Sequence, residues 1–210
     1  DAIESARRIH ADEEKRAKEK AQIQFANIWD GLPDANANHP YLEKKGIKPH
    51  GIKQDNDKLV VPCYLNGALV GLQDIYPDGS KYFRKHSTKG YLTLGDINAD
   101  KVFICEGYAT GVSIHEATNG LVAIAFDVGN LFPTASSLKD KHTIIICADD
   151  DRKKEINIGL ETANKIKNAL GCRVIAPICD GKDFNDMAAE RGLDKVKEHI
   201  ESALEIKQPR

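Results

Sequence analysis

The chain has 210 residues, 41% of them hydrophobic and 30% charged, with a formal net charge of −2, a globular balance that allows one domain or two small ones. No apolar run is long enough to span a membrane, and no n-region and h-region mark a secretory signal. The five cysteines, Cys63, Cys105, Cys147, Cys172 and Cys179, include no CxxC pair, which excludes a zinc module or a disulfide framework and predicts reduced core thiols in a cytoplasmic protein. The first residue is Asp1 rather than Met, as expected of a segment of a larger protein. Charge is unevenly placed: residues 39–95 carry nine Lys/Arg against five Asp/Glu, and residues 96–151 three against nine. A basic module beside an acidic one suits a polyanionic ligand and a cation.

Residues 1–30 are rich in Ala, Arg, Lys, Glu and Gln, without Gly or Pro until Gly31-Leu32-Pro33. They predict a helix whose first half is a solvated connector and whose second half, with Ile23, Phe25, Ile28 and Trp29, docks. His39–Gly46 predicts a short helix with Pro40 near its start and Gly46 at its close. His39 and His50 flank it with no partner at ligand spacing and read as structural or solvated. Lys58–Leu65 and Ala68–Ile75 read as strands joined by an Asn66-Gly67 hairpin turn, and Asp78-Gly79 leads into a third at Lys81–Arg84. This small antiparallel sheet carries Lys81, Arg84, Lys85, His86 and Lys89 interleaved with Tyr82, Phe83 and Tyr91. The pattern suits phosphates and stacked bases, or a charged hairpin whose aromatics face the core.

From residue 101 strands and helices alternate. Val102–Cys105, Leu121–Ala125, Ile144–Cys147 and Arg173–Ala176 read as strands. Helices are expected near 109–118, 131–139, 157–170, 184–191 and 193–206, with a charged turn at Arg152–Glu155. The alternation predicts an α/β fold, a parallel sheet with helices packed on it.

Acids stand at the ends of three of these strands: Glu106, then Asp149, Asp150 and Asp151, then Asp183 and Asp186. In a parallel sheet the carboxyl ends share one edge, where ligands bind, so these acids converge whatever their separation in sequence. An oxygen-only cluster suits Mg²⁺ or Mn²⁺. A solvated acidic turn is the alternative for Asp149–Asp151. Asp183 suits an N-cap, and Asp186 a first-turn acid, as well as they suit ligation. Gly107, directly after Glu106, lets backbone or phosphate approach closely.

Glu106-Gly107-Tyr108, the Asp149-x-Asp151 strand end and Lys182-Asp183-Phe184-Asn185-Asp186 together resemble the Toprim domain over roughly residues 100–192. That domain is shared by bacterial-type primases, type IA and II topoisomerases, OLD-family nucleases and RecR-type recombination proteins. Lys58-Leu-Val-Val-Pro, Gly67-Ala-Leu-Val-Gly-Leu-Gln and Gly79-Ser-Lys-Tyr-Phe resemble the subdomain that precedes Toprim in replicative primases. His39–Gly46 and Glu106–Gly111 are similar to plasmid and phage primases and primase–helicases.

The resemblance implies three segments: an N-terminal helix or connector (1–37), a small α+β nucleotide- and template-binding subdomain (38–99) and a Toprim catalytic domain with C-terminal helices (100–210). It implies Glu106, Asp149 and Asp151 as catalytic acids that bind metal, with Asp183 and Asp186 as further metal ligands. Glu106 fits a general base as well as a ligand. Lys81, Arg84, Lys85, Lys89 and Gly107 would meet nucleotide and template. The implied activity is RNA primer synthesis from ribonucleoside triphosphates on single-stranded DNA, with a helicase as a further partner and no membrane. A Toprim nuclease and a non-catalytic module binding DNA or a helicase remain open beside it. Two departures stand out: Thr110 occupies a position that is usually acidic, and the glycine expected soon after the Asp-x-Asp arrives only at Gly159.

Overall fold

The uninterrupted apolar runs of the second half become adjacent parallel strands in the computed structural model, which describes residues 2–152 and 155–206. Lys153 and Lys154 of the expected charged turn lie outside the described residues. The chain divides into two compact units, Asp1–Tyr41 with Gly51–Gly90, and Leu42–His50 with Tyr91–Arg210.

The first unit is an antiparallel sheet in the order β1 (Lys53–Asp55), β2 (Lys58–Leu65), β3 (Ala68–Ile75), β4 (Lys81–Phe83), with α1 (Ala2–Gly31) packed on β3. Asn66 and Gly67 both adopt positive φ, as a two-residue hairpin between twisted strands requires. Only the second half of α1 docks: Ala21 and Phe25 are buried against Val60 and Leu72, with Trp29 beside them. Ile3 and Ile9 of the first half stay exposed. The short helix α2 (Pro40–Lys45) follows, closed by Gly46 at φ +63°.

The second unit begins with β5 (Leu92–Leu94) and β6 (Lys101–Cys105), then α3 (Tyr108–Thr118) and β7 (Leu121–Ile124). A 3-10 turn, Val128–Asn130, leads to α4 (Leu131–Leu138), β8 (Thr143–Cys147), α5 (Ile158–Leu170) and β9 (Arg173–Ile175). Helices α6 (Phe184–Arg191) and α7 (Leu193–Glu205) close it. The sheet order is β5-β7-β6-β8-β9, parallel throughout except that β5 runs antiparallel to β7. Alternate residues serve opposite faces. Val102, Ile104, Ile144 and Ile146 pack under α4 and α5 with Ala135, Leu138, Ala163 and Ile166. Helix α3 packs on β6 and β7 and against α6 and α7. Because helices cover both faces, β6 and β8 are apolar at every position after their exposed first residues, Lys101 and Thr143.

Close approach of α3 to the sheet depends on Gly111, where a Cβ would lie 2.5 Å from Ile124 Cγ1. Residues 42–50 are tied to α3 and α6 by hydrogen bonds. The Tyr108 hydroxyl accepts from the His50 N–H and donates to its carbonyl, and Asn185 Nδ2 donates to Lys45 O and Ser113 Oγ. All five cysteines are buried thiols. Among the described residues no helix is long and apolar enough to cross a membrane.

Candidate active site

The strand order brings the acids to one edge. Glu106 follows β6, Asp149 and Asp151 follow β8, and Asp183 follows β9, three neighbouring parallel strands. Backbone bonds extend beyond the strand ends and fix these positions. Ala125 and Phe126 donate to the carbonyls of Cys105 and Glu106, and the Asp150 N–H reaches Lys182 O at 2.7 Å. Phe126 adopts φ +72°, an unfavourable conformation for a bulky residue, held where β7 ends beside Glu106.

Asp149 is the most perturbed acid. Its Oδ1 is buried and accepts no hydrogen bond. Burial first, then the charges of Asp183 and Glu106, push its carboxyl up to about 7. Helix α5 leaves room for it through Gly159, where a Cβ would lie 2.7 Å from Asp149 O. The late glycine of the sequence therefore stands directly against the acid.

Asp150, between the two predicted site acids, has a structural part. Its carboxylate accepts from Arg152 and from Asn157 Nδ2 at 2.6 Å. Asn157 also caps α5 and accepts from the Asp151 N–H at 3.2 Å. Asp183 is buried, and its Oδ1 accepts from the Asp186 N–H at 2.9 Å, so it caps α6. Asp186 accepts from the Lys182 N–H at 2.9 Å. These bonds engage one oxygen of each.

Lys182 is the member that sequence reasoning passed over; its signal was its place directly before Asp183. Burial works against its ammonium, but Asp149, Asp151, Asp183 and Glu106 more than offset this, and its pKa is raised. Beneath the edge, burial pushes the Cys105 and Cys147 thiols upward, so both stay protonated and inert.

The donor set is all oxygen, and the unpartnered Asp149 Oδ1 is a position a hard cation would satisfy, so the residues fit a divalent ion. Among the described residues no three Asp, Glu, His or Cys side chains already stand close enough to share one ion.

Lys81, Arg84, Lys85 and Lys89 belong to the first unit. Arg84 is engaged within it: Nε donates to Asp74 Oδ1 and Nη2 to Asp55 Oδ2, both at 2.9 Å, and Lys58 completes the network on Asp74 at 3.0 Å. Lys81 Nζ lies 5.7 Å from the Tyr41 ring centre, while Lys85 and Lys89 are exposed. Tyr82 is 65% exposed and Phe83 39%, so these aromatics face outward rather than into a core, whereas Tyr91 packs on the second unit's core. Both flanking histidines are structural: His39 bonds Asp57 O and the Tyr41 N–H, and His50 bonds Glu116.

The family model for the Toprim domain matches residues 101–194. A DNA primase TraC of Escherichia coli is 31% identical over 185 residues, covering 80% of this chain and 17% of that protein. The chain thus spans less than a fifth of the length of the curated relatives it matches. Its fold is similar to the primase fragment of the bacteriophage T7 primase-helicase protein, with TM-score 0.59, 15% identity, and 81% and 79% of the two chains covered. It is also similar to a DnaG primase catalytic domain bound to single-stranded DNA, with TM-score 0.60, 14% identity, and 90% and 80% covered.

Proposed function

We propose that this chain, which carries a Toprim domain over residues 101–194, is the catalytic core of a DNA primase that makes short RNA primers on single-stranded DNA. The observation that carries the reading is the set of acids on three neighbouring strand ends, in a chain 31% identical to a DNA primase. Under this reading residues 1–37 are an N-terminal helix or connector, 38–99 hold nucleotide and template, and 100–210 perform the chemistry.

Glu106, Asp149, Asp151 and Asp183 would hold the divalent ion, Mg²⁺ or Mn²⁺, with Asp186 as a further ligand. Such an ion, when bound, would lower the pKa of the attacking 3′-hydroxyl and offset charge on the departing pyrophosphate. Glu106, only half-buried, would serve alternatively as the base that takes the hydroxyl proton. Gly107 offers a backbone without a side chain beside it. Lys81, Lys85 and Lys89 bind the phosphates of template and triphosphate, and the outward Tyr82 and Phe83 suit stacking on bases. Arg84 contributes mainly by holding β4 to its neighbours. The partners of the reading are single-stranded DNA, ribonucleoside triphosphates and a helicase. The DNA-bound DnaG domain and the T7 primase-helicase, which share the fold, support the first and last.

The test incubates the chain with single-stranded DNA, labelled ribonucleotides and Mg²⁺ or Mn²⁺ and resolves products by length. Short oligoribonucleotides, lost in Asp149→Asn and lost without metal, are expected. Shortened DNA would instead identify a nuclease. DNA binding with no product, in this chain and in the longer protein alike, would leave a binding module.

A further inference from the structure

Among the described residues, the acid edge contains a cation that no ion pair accounts for. Lys182 lies in the loop between β9 and α6, anchored through its backbone on both sides: its N–H donates to Asp186 Oδ2 and its carbonyl accepts from the Asp150 N–H. The preceding Gly181 packs so closely that a Cβ there would lie 2.3 Å from Asp186 Cβ. Lys182 lines a cleft of about 260 Å³ with Asp150, Asp151, Asp180 and Asp186. The other described cation of that cleft, Arg152, is committed to Asp150 and to Pro177 O.

Lys182 forms no ion pair with a described residue; it shares its cleft with Asp151 and Asp186, and its charge is felt most by Asp149, then by Asp151, Asp183 and Glu106. A lysine paired with one carboxylate would serve that one and leave the others to repel. A lysine set among several stabilises the charged form of each, screened by the water of an open cleft. A divalent cation entering the same field gains the carboxylates' attraction but meets the ammonium's repulsion.

We infer that Lys182 is the resident counter-charge of the acid edge: it offsets carboxylate repulsion in the cation-free protein and sets the affinity of the divalent ion that replaces it. It is a positioning residue, acting through the acids. The inference rests on the metal-binding part of the function proposed above.

Lys182→Gln and Lys182→Arg in the full chain test it, since both anchoring hydrogen bonds use the backbone and survive substitution. Free Mn²⁺ is read by its paramagnetic resonance signal at low salt, and chelator-treated proteins are melted at low and high salt. Lys182→Gln is expected to bind Mn²⁺ about fivefold more tightly, as one unit charge acting on a divalent ion across a wet cleft implies. Lys182→Arg should bind like the wild type. Chelator-treated Lys182→Gln should melt below the wild type at low salt, with the gap narrowing at high salt. Unchanged or weaker Mn²⁺ binding by Lys182→Gln overturns the inference. A wild type that binds no Mn²⁺ overturns the metal reading instead. The melting comparison then still judges Lys182, and a gap that is absent or indifferent to salt overturns its role.

Discussion

Gly159 lies against the backbone of Asp149, with room for a hydrogen but not for a methyl: a Cβ would sit 2.7 Å from Asp149 O and 3.3 Å from Asp149 Cβ. Gly159→Ala must push α5 away from the strand end or displace Asp149. The expected result is a loss of stability of about 1–3 kcal/mol, as for other overpacked sites, together with, under the function proposed above, at least tenfold weaker primer synthesis. Gly171→Ala is the control. Gly171 caps α5 at φ +66° with open space around it, so alanine there should lower the melting temperature and leave activity per folded molecule unchanged. Equal activity in both variants would show that close packing at Gly159 does not matter to the site.

The Asp149 carboxyl gives the cation-free protein a pH dependence of defined sign. Its pKa rises from 3.8 to about 7 on folding, so the folded state holds a proton that the unfolded chain gives up. This contribution is fully present below about pH 4 and is lost as pH climbs to about 7. At about 1.4 kcal/mol per pKa unit the upper limit is about 4 kcal/mol, and solvent near the half-buried side chain reduces it. Asp149→Asn should therefore melt higher than the wild type in chelator at pH 7.5 and lose this slope. Added Mg²⁺ should raise the melting temperature of the wild type alone. A variant no more stable than the wild type in chelator would contradict the burial of an unsatisfied carboxylate.

Within the first unit, stability and nucleic-acid binding should separate. Arg84→Met removes charge-assisted bonds to Asp74 and Asp55 and is expected to destabilise by about 2 kcal/mol. Lys85→Glu should leave the melting temperature in place, weaken single-stranded DNA binding, and flatten the dependence of affinity on salt. Fluorescence anisotropy across a salt series, with melting of the same samples, distinguishes the two. Equal DNA-binding defects at equal stability would return Arg84 to the phosphate contacts.

Gly111→Ala should be among the most disruptive single-methyl additions, because α3 cannot back away from β7 without also disturbing α6 and α7. A loss of about 2–3 kcal/mol is expected. Ile124→Val removes the Cδ1 that would lie 2.8 Å from the new methyl, so the double variant should recover part of the loss. Additive losses in the double-mutant cycle would place the clash elsewhere.

Much of this architecture is legible in the sequence, and physics explains which parts. Strands buried on both faces must be apolar without a break, so Val102–Cys105 and Ile144–Cys147 announce themselves. Asn66-Gly67 and Gly171 are read from backbone conformation alone. By contrast, β1 is Lys-Gln-Asp and β5 only three residues long, each a strand through its partner rather than its own pattern. Arg84 suits a phosphate contact in sequence because Asp74 and Asp55, ten and 29 positions away, become neighbours only through strand register. Asp183 and Asp186 read ambiguously because capping and ligation favour the same residue at a helix start, and a cap uses one oxygen of two.

The strand order also sets a schedule for assembly. The first parallel strand made, β6, is the central one, flanked by β7 on one side and β8 on the other, and β9 joins outside β8. Each new strand is added to an edge that already exists, so the sheet can grow outward as the chain emerges. The acid edge completes last. Glu106 is in place early, but Asp183 and Lys182 arrive only with the loop after β9, late in the sequence. Until then the Glu106 and Asp149 carboxylates lack the lysine beside them, and the chain carries an acid pair without the cation that the finished fold supplies.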